Sequence, residues 1–378
     1  MTFRAASALS EHPLASHAVG EIAGSILEAM DGAPIDLLVV FFHGDHNGAI
    51  EDIDAALRQL LNPKHTIGSA ACGVLSNDTE VEFRQSLSVW AASGLTAEPF
   101  HLQPQTSEPI GGWSNTWRNA IVLADPFSID VTLLIERAGL DAPQLVISGG
   151  LASAAAGPGG NRLLLDGTIV HGGAVGMALC DVEITRVVSQ GCRPIGEPLT
   201  VTATAASAGG AANIITGLAS KPPIEVLRSI ATRASEADRE LISQGLQLGI
   251  VINEQQHAHV DGDFLMRSVL GADHKTGAIA VGTEISVGTT VQFHVRDAQS
   301  ASTDLQRALG GHEAHAVLAF TCNGRGEQLF GFANHDAQMV HESTGSVATA
   351  GMFCAGEFGA VAGKSHMHEF TSSLMLFT

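Results

Sequence analysis

Two short stretches near the C-terminus of the chain carry residue types that could do chemistry. In FTCNGRG (residues 320–326), an apolar run ends at a thiol, an amide and an arginine flanked by glycines. In FCAGEFG (residues 353–359), another apolar run ends at a thiol, which a glycine and a glutamate follow. The ends of neighbouring strands in an α/β sheet meet at one rim, and such rims bind ligands. We therefore expect the two stretches to form one site.

Arg325 could bind the carboxylate of a small ligand. The chain has 39 acidic against 19 basic side chains, and a planar guanidinium binds a carboxylate through two parallel hydrogen bonds. Gly324 and Gly326 permit positive φ and a close approach of the backbone to the ligand. Glu357 would then meet the ammonium of an amino acid, unless Arg325 and Glu357 form a structural ion pair. If Arg325 binds the ligand, Arg325→Ala should weaken binding by about 1.5–3 kcal/mol and leave the fold intact.

Cys322 and Cys354 allow two interpretations. Each ends an apolar run and could be a small core residue. A nucleophilic or redox-active thiol would need a pKa lowered by a nearby cation, such as Arg325, and covalent catalysis would need a base such as His368. A cysteine-dependent enzyme that uses Cys322, Cys354 and His368 is therefore the alternative to a binding protein.

Arg296 and Asp297 end a further apolar run, TTVQFHV, before the helical segment SASTDLQRAL. Asp297 or a nearby serine could cap that helix, or Arg296 and Asp297 could both join the ligand site. The predicted ligand-binding residues are Arg296, Asp297, Cys322, Asn323, Gly324, Arg325, Gly326, Cys354, Gly356, Glu357 and His368.

The composition argues against several classes of protein. A formal net charge of -20 without a basic patch repels phosphate backbones, so nucleic acid is not an expected partner. No apolar run approaches the roughly 18–20 residues that span a bilayer, so no membrane span is expected. Five cysteines without a CxxC motif indicate reduced thiols and a cytoplasmic protein. No acid or thiol stands at a diagnostic spacing from the 17 histidines, so no metal site is expected.

A pattern of strand, helix, glycine-bearing strand and strand recurs four times. The four copies begin with DLLVVFF, NAIVLAD, LQLGIVIN and HAVLAFTC, and their helices are IEDIDAALRQLL, IDVTLLIERAGL, FLMRSVLG and DAQMVHEST. The pattern predicts an α/β (α+β) fold with two lobes, each built from two strand–helix–strand–strand units with mixed sheets. Residues 36–92 should then superpose on 120–180, and residues 246–296 on 315–377. The segment TVTATAASAGGAANIITGLASKPP, rich in glycine and alanine, marks the expected boundary between the lobes.

Several blocks of this sequence resemble the FIST family. GLASAAAG, LLLDGTIVHGGAVGMAL and GCRPIGEPLTVT are similar to the N-terminal FIST domain. GAIAVGTEISVGTTVQFHVRDAQSASTDL, AVLAFTCNGRGEQLFG and AGMFCAGEFGAV with HMHEFTSSL are similar to the C-terminal FIST domain. The resemblance divides the chain into a FIST N-terminal-type domain (1–218) and a FIST C-terminal-type domain (219–378). In HTIGSAACGVLSND, Ser69 stands where the family usually has a thiol, and Cys72 follows three residues later.

The resemblance implies a sensory module that binds a small molecule. Some bacterial relatives bind haem, so a haem-binding gas sensor with a histidine ligand is a further alternative; otherwise no cofactor is expected. We therefore predict a cytoplasmic sensory protein that binds an amino acid or small organic acid and signals through a separate partner protein.

Overall fold

The computed structural model describes residues 3–109, 111–206, 213–255 and 262–378. Its helices are α1 Ala15–Met30, α2 Ile50–Leu61, α3 Val131–Asp141, α4 Pro223–Arg233, α5 Glu236–Gln244, α6 Ala298–Leu309, α7 Glu327–Phe330 and α8 His335–Thr344, with a 3-10 helix at Gly44–Ala49.

The first half of the chain contains strands β1 Arg4–Ser10, β2 Leu37–His43, β3 His65–Ala71, β4 Gly73–Ser76, β5 Thr79–Glu82, β6 Leu87–Ser93, β7 Thr96–Leu102, β8 Asn119–Ala124, β9 Val146–Leu151, β10 Leu163–Leu165, β11 Thr168–Val170, β12 Ala174–Cys180 and β13 Ile184–Gln190. The second half contains β14 Cys192–Ala205, β15 Ile214–Leu218, β16 Leu246–Val251, β17 Phe264–Ala272, β18 Ile279–Val281, β19 Thr290–Arg296, β20 Ala316–Cys322, β21 Thr349–Cys354, β22 Glu357–Val361, β23 Lys364–His368 and β24 Thr371–Phe377.

The chain forms two compact units. The first comprises Met1–Ser189, Leu305–Met367 and Thr371–Thr378, and the second comprises Gln190–Asp304 and His368–Phe370. The second unit is thus largely an insertion into the sequence of the first. The predicted α/β fold class with two lobes and mixed sheets is confirmed.

The first unit contains three sheets of the same design. Their strand orders are β1-β6-β2-β3-β10-β11, β7-β12-β8-β9-β22-β23 and β13-β24-β20-β21-β4-β5. Each sheet has a central parallel pair (β2 with β3, β8 with β9, β20 with β21). A helix connects the two strands of each pair: α2, α3 and α8. The first, second and fourth predicted copies are therefore three repeats of one unit.

The three repeats exchange their hairpins in a cycle. The β4–β5 hairpin of the first repeat extends the sheet of the third by pairing β4 with β21. The β10–β11 hairpin of the second repeat pairs with β3 of the first, and β22 of the third pairs with β9 of the second. Each repeat therefore completes the sheet of another repeat rather than its own.

A glycine in the second strand of each parallel pair lies against the backbone of the first strand. A Cβ atom on Gly68 would lie 2.4 Å from the Val40 carbonyl oxygen, and one on Gly149 would lie 2.0 Å from that of Val122. Gly351 makes the third such contact, 2.1 Å from the Ala319 oxygen. These are the glycines of the predicted glycine-bearing strands, and no other residue fits without a shift of the backbone.

The faces of the three sheets are buried in two ways. Alternate residues of the strands, among them Phe41, Ile121 and Phe320, form one shared core between the sheets. The opposite faces are covered by helices: α1 and α2 cover the first sheet, α3 the second and α8 the third. Strands buried on both faces require apolar residues at successive positions, which accounts for their unbroken apolar runs.

Helix α1 has apolar residues at helical spacing, and Val19, Ile22 and Ile26 among them are buried. The helix predicted at IEDIDAALRQLL is observed as α2, and its Ile50, Ile53, Leu57 and Leu61 are buried, whereas Leu60 is 50% exposed.

The third predicted copy, residues 246–296, has a different structure. It contributes β16–β19 to a closed antiparallel barrel of order β14-β15-β18-β17-β16-β19. FLMRSVLG, predicted as a helix, is part of β17, where Phe264 and Met266 are buried at the two-residue spacing of a strand. The segment contains no helix within its described residues, 246–255 and 262–296, so its superposition on residues 315–377 is not expected.

The segment predicted to mark the lobe boundary forms part of the same barrel. Its residues 200–205 belong to β14 and its residues 214–218 to β15, while 207–212 lie outside the described residues. The barrel interior contains Val201, Leu248, Phe293 and other apolar side chains. The division predicted at residue 218 follows the resemblance to two family domains. The compact units instead divide the chain after Ser189, Asp304, Met367 and Phe370.

Candidate functional site

The ends of the three parallel strand pairs meet in the first unit. The Ser153 hydroxyl, just after β9, accepts a hydrogen bond from the Cys72 amide at 2.9 Å and donates one to the Phe353 carbonyl oxygen at 2.5 Å. Residues from all three repeats therefore converge at this end of the sheets.

The two stretches that carry the predicted site lie side by side. Cys322 and Cys354 are paired across the parallel strands β20 and β21. The Asn323 amide donates to the Cys354 carbonyl oxygen at 2.8 Å, and the Arg325 amide donates to that of Cys322 at 2.9 Å. Gly326 has φ +68, in the region that favours glycine, and a Cβ atom there would lie 2.3 Å from the Glu82 carboxylate, which would have to shift.

Arg325 is fully buried and forms a bidentate ion pair with Asp336. Its Nε donates to Asp336 Oδ2 at 2.6 Å and its Nη2 donates to Oδ1 at 2.9 Å. Burial acts to raise the pKa of Asp336, but the charges and hydrogen bonds of Arg325 and His335 together outweigh it and lower this pKa to about 2. Burial likewise acts to lower the pKa of Arg325, and Asp336 reverses that effect. The ion pair between Arg325 and Glu357, considered from the sequence, is replaced by one with Asp336.

Glu357 is a second fully buried titratable residue near Arg325. Its Oε2 accepts a hydrogen bond from the Thr371 hydroxyl at 2.9 Å, and the Cys322 thiol is also hydrogen-bonded to this carboxyl group. Burial raises the pKa of Glu357 to about 8 despite these bonds and the charge of Arg325. The carboxyl group is therefore largely protonated at neutral pH.

Glu80 reaches the same region from β5, on the hairpin that the first repeat contributes to the third. Its Oε1 accepts from the Ala337 amide at 3.0 Å, at the start of α8. Burial, and then repulsion by Asp336, raise the pKa of Glu80 to about 8. Hairpin exchange therefore brings a residue of one repeat beside the charged residues of another. We call Glu80, Cys322, Arg325, Asp336, Glu357 and Thr371 the Arg325 cluster.

Three polar atoms of the Arg325 cluster are buried and have no hydrogen-bond partner among the described residues. They are Nη1 of Arg325, Oε1 of Glu357 and Oε2 of Glu80. One is a donor and the other two belong to carboxyl groups that can accept, or donate when protonated. A small polar molecule with groups of both kinds could satisfy them.

Phe330 and His335 cover the guanidinium. The Arg325 Cζ lies 5.3 Å from the centroid of the Phe330 ring, and that ring stacks on His335. His335 Nδ1 is in turn 2.8 Å from Asp336 Oδ1. These contacts tie the segment between β20 and α8 to the ion pair.

Cys354 and Cys72 are poor nucleophiles in this structure. Burial raises the pKa of the Cys354 thiol well above its usual value, and the nearby Glu357 carboxylate adds to this effect. Burial also raises the pKa of Cys72, although Ser153 opposes the shift. Gly150 makes room for Cys354, because a Cβ there would lie 2.3 Å from its sulfur. Cys354 thus has the surroundings of a core residue.

Three of the predicted site residues belong to the second unit. Asp297 accepts from the Ser300 amide at 2.7 Å, as a helix cap does, and from Arg193 Nε at 2.8 Å. Arg296 lies over the Phe370 ring, with its Cζ 4.9 Å from the centroid. His368 is buried at the end of β23. The capping role predicted as one interpretation of Asp297 is therefore observed.

The sequence-based prediction missed Glu80 and Asp336. Glu80 lies in TEVE, where two acids are two residues apart in a strand, and Asp336 lies in NHDAQM, where an acid in the first turn of a helix is common. Both patterns have ordinary structural explanations, so neither marks a charged cluster.

No three histidine, cysteine or acidic side chains of the described chain are grouped so that they could bind a metal ion. The space beside Asp336, between α8 and the third sheet, has no volume that a water-sized molecule could occupy, and Leu75, Val340 and Leu374 are among the residues that line it. A porphyrin does not fit there.

The fold and the site together define an α/β protein of three hairpin-exchanging repeats, with an inserted barrel and a closed charged cluster. The FIST N domain matches residues 36–219 and the FIST C domain matches residues 223–360, and the chain belongs to the FIST family. FIST domains are commonly sensory domains. No helix of the described chain is long and apolar enough to cross a membrane.

Relatives of similar length occur in mycobacteria. An uncharacterized protein of Mycobacterium tuberculosis (strain CDC 1551 / Oshkosh) is 39% identical over 381 residues, which cover 98% of each chain. One of Mycobacterium bovis is 39% identical over 378 residues, which cover 97% of this chain and 96% of that one. The solved structure of PurLQS from Thermotoga maritima aligns with a TM-score of 0.25 and 10% identity over 100% of this chain and 72% of that one, which is too low for an argument.

Proposed function

We propose that this protein is a cytoplasmic sensory protein that binds a small ligand at the Arg325 cluster and signals through a separate partner protein. The observation that carries the proposal is the set of three buried polar atoms without partners in that cluster. A buried polar group left unpaired costs about 1–3 kcal/mol, and a ligand that pairs with it recovers that free energy. The cytoplasmic part of the proposal rests on the five cysteines, all in described parts of the chain and none in a disulfide.

The proposed ligand is an amino acid or a small organic acid. Its carboxylate would accept a hydrogen bond from Arg325 Nη1, and an ammonium or hydroxyl group would donate to Glu357 or Glu80. The carboxylate would not bind Nε and Nη2 of Arg325, because these two nitrogens already donate to Asp336. This ion pair would hold the guanidinium in place for the ligand.

Entry of the ligand requires the chain to move. Arg325 and Glu357 are both 0% exposed, so a ligand can reach them only when the segment between β20 and α8 opens. Gly326 and Gly331 in this segment have φ of +68 and +78, which gives the backbone freedom at both ends of α7. Because binding would favour one arrangement of this segment, it would be linked to a conformational change that a partner can recognise.

Mass spectrometry of the denatured, freshly purified protein tests the proposal. We expect a retained small acid, and its addition to ligand-depleted protein should raise the melting temperature. Glu357→Gln should reduce this rise, whereas Glu51→Gln, on the exposed face of α2, should leave it unchanged. Absence of a retained acid, together with no response to a panel of amino acids and small organic acids, would refute the proposal.

Thiol-dependent catalysis is a second candidate function, which one contact favours. The Cys322 thiol is hydrogen-bonded to Glu357, a carboxyl group whose pKa of about 8 suits a general base, and Thr371 orients that carboxyl group. On this alternative, iodoacetamide alkylates Cys322 faster than a small free thiol at pH 7–8, and Glu357→Gln removes the difference. Slower alkylation of Cys322 than of the free thiol would reject it.

A further inference from the structure

The second unit contains a cleft that the proposed function does not use. Its volume is about 660 Å³, within the range of sites that bind drug-sized molecules. It lies between the bulged part of β14 and the helices α4 and α5, and all of its lining residues fall within 193–238.

The β14 side of the cleft is a bulge. Between the pairs Ile195 with Phe293 and Leu199 with Val291, β14 has two more residues than its partner β19. Gly196 in the bulge has φ +74, a Cβ there would lie 2.9 Å from Ile230 of α4, and its carbonyl oxygen accepts from Gln292 Nε2 at 2.7 Å. Bulges of this kind interrupt strand pairing and are frequent beside binding sites.

A strained turn forms the second side. Ala219 and Ser220 have φ of 47 and 64, in the left-handed region that non-glycine residues rarely adopt. The Ala219 amide donates to the Thr200 carbonyl oxygen at 2.9 Å, and the Ser220 amide donates to Thr202 Oγ1 at 3.1 Å. The turn places Lys221 at the cleft.

The lining combines an aliphatic surface with charged side chains of both signs. Ile195, Leu199, Val226 and Ile230 supply the apolar part. The charge of Arg193 is offset by Asp238 and Asp297, which both bind it.

Lys221 and Arg233 are exposed and form no ion pair or hydrogen bond through their side chains within the described part of the chain. Three acids line the cleft: Asp238, which is paired with Arg193; Glu225, whose charge the N-terminus of α4 offsets in its first turn; and Glu197. With three cations and three acids the lining is formally neutral, and Lys221 and Arg233 are the two cations that remain available to a ligand.

We infer that this cleft binds a monocarboxylate with an aliphatic body, such as a medium-chain carboxylic acid. The aliphatic part contacts the side chains of β14 and α4, and the carboxylate binds Lys221 and Arg233. The site lies in the inserted barrel unit and does not depend on the Arg325 cluster.

Calorimetry with octanoate and the full-length protein tests the inference. Octanoate should bind, whereas acetate, which lacks the aliphatic body, and octylamine, which carries the opposite charge, should not. Combined Lys221→Gln and Arg233→Gln should weaken octanoate binding by about tenfold, as loss of charge-assisted hydrogen bonds does. Lys275→Gln, an exposed cation of the same unit outside the cleft, should leave it unchanged.

The inference is overturned if octanoate does not bind or if octylamine binds as tightly. It is also overturned if the double variant keeps its affinity while its circular dichroism spectrum is native, or if Lys275→Gln weakens binding to the same extent.

Discussion

At the scale of single residues, the burial of Arg325 changes the outcome expected for its removal. Arg325 and Asp336 are both at most 3% exposed, so Arg325→Ala would leave an unpaired carboxylate in the core. Breaking a buried ion pair in this way costs about 3–5 kcal/mol. We therefore expect Arg325→Ala to lower the free energy of unfolding by about that amount, as measured by urea denaturation, rather than to leave the fold intact.

Replacement of both partners separates stability from binding. Arg325→Met combined with Asp336→Leu removes both charges and should recover most of the stability, because an apolar pair of similar volume is often as stable as a buried ion pair. Under the proposed function, the double variant should not bind the ligand. Full stability of the Arg325→Ala single variant would show that Asp336 is not its essential partner.

Glu357 should make the stability of the protein decrease as pH rises. Burial holds its folded-state pKa at about 8, above the ordinary value of 4.5 for a glutamate side chain. Between these two values the folded state binds a proton that the unfolded state has released, so its contribution is complete below about pH 4.5 and is lost as pH rises through 8. We expect Glu357→Gln, which mimics the protonated group, to be less sensitive to pH than the parent protein.

Urea denaturation of both proteins at several pH values between 5 and 9 measures this difference. Glu80, whose pKa is raised to about 8 by burial and by Asp336, should act in the same direction, so some pH dependence should remain in the variant. If the free energy of unfolding depends on pH in the same way in both proteins, Glu357 is not the source of the pH dependence.

The sequence predicted which two stretches form the candidate site. It did not predict that Arg325 pairs with Asp336. Two apolar runs that end at Cys322 and Cys354 were enough to place FTCNGRG and FCAGEFG together, because neighbouring strand ends share one edge. The partner of Arg325 was not predictable, because Asp336 lies 11 residues further on and has the ordinary position of an acid at a helix start.

At the scale of elements, the glycines of the second strands make a direct test of the three repeats. In Gly351→Ala the new Cβ would lie 2.1 Å from the Ala319 carbonyl oxygen, a distance that forces β20 and β21 apart. We expect Gly351→Ala to destabilise the protein by several kcal/mol, about the scale of severe core substitutions, measured as a loss of free energy of unfolding.

Gly20→Ala is the matched control, because Gly20 lies within α1 and a Cβ there has nothing within 4 Å. Alanine is the better helix former by about 0.5–1 kcal/mol, so this variant should be slightly more stable than the parent. Equal effects of the two substitutions would mean that the contact of Gly351 with β20 does not limit stability.

The repeated strand pairs were predictable from the sequence. The exchange of hairpins that completes each sheet was not. Apolar runs joined by an amphipathic helix specify a parallel pair locally, as in β2–α2–β3. Hairpin exchange depends on which sheet edge β4 meets in the folded chain, and nothing in its four residues, GVLS, distinguishes β21 from a neighbour in its own repeat. The barrel was missed because LQLGIVIN resembles the first strand of a repeat.

At the scale of the whole molecule, hairpin exchange makes the three repeats of the first unit interdependent. In a fragment of residues 1–189, the hairpin β4–β5 would lack β21 and the edge of β9 would lack β22. The shared core would lose Phe320, Met352 and Met375. Exposed sheet edges and an incomplete core favour aggregation over folding. We expect this fragment to be aggregated or to lack the near-ultraviolet circular dichroism of a packed core.

Addition of the missing repeat should restore the fold. Residues 305–378, supplied as a second chain, contain the third parallel pair β20 and β21, the hairpin β22–β23 and the strand β24, so they provide every partner that the first two repeats lack. Co-expression with residues 1–189 should give a soluble complex with a dispersed NMR spectrum. Residues 190–304 contain all six strands of the closed barrel and should fold without either fragment. A dispersed NMR spectrum from residues 1–189 alone would mean that the sheets of two repeats fold without the strands of the third. Hairpin exchange would then not be required for folding.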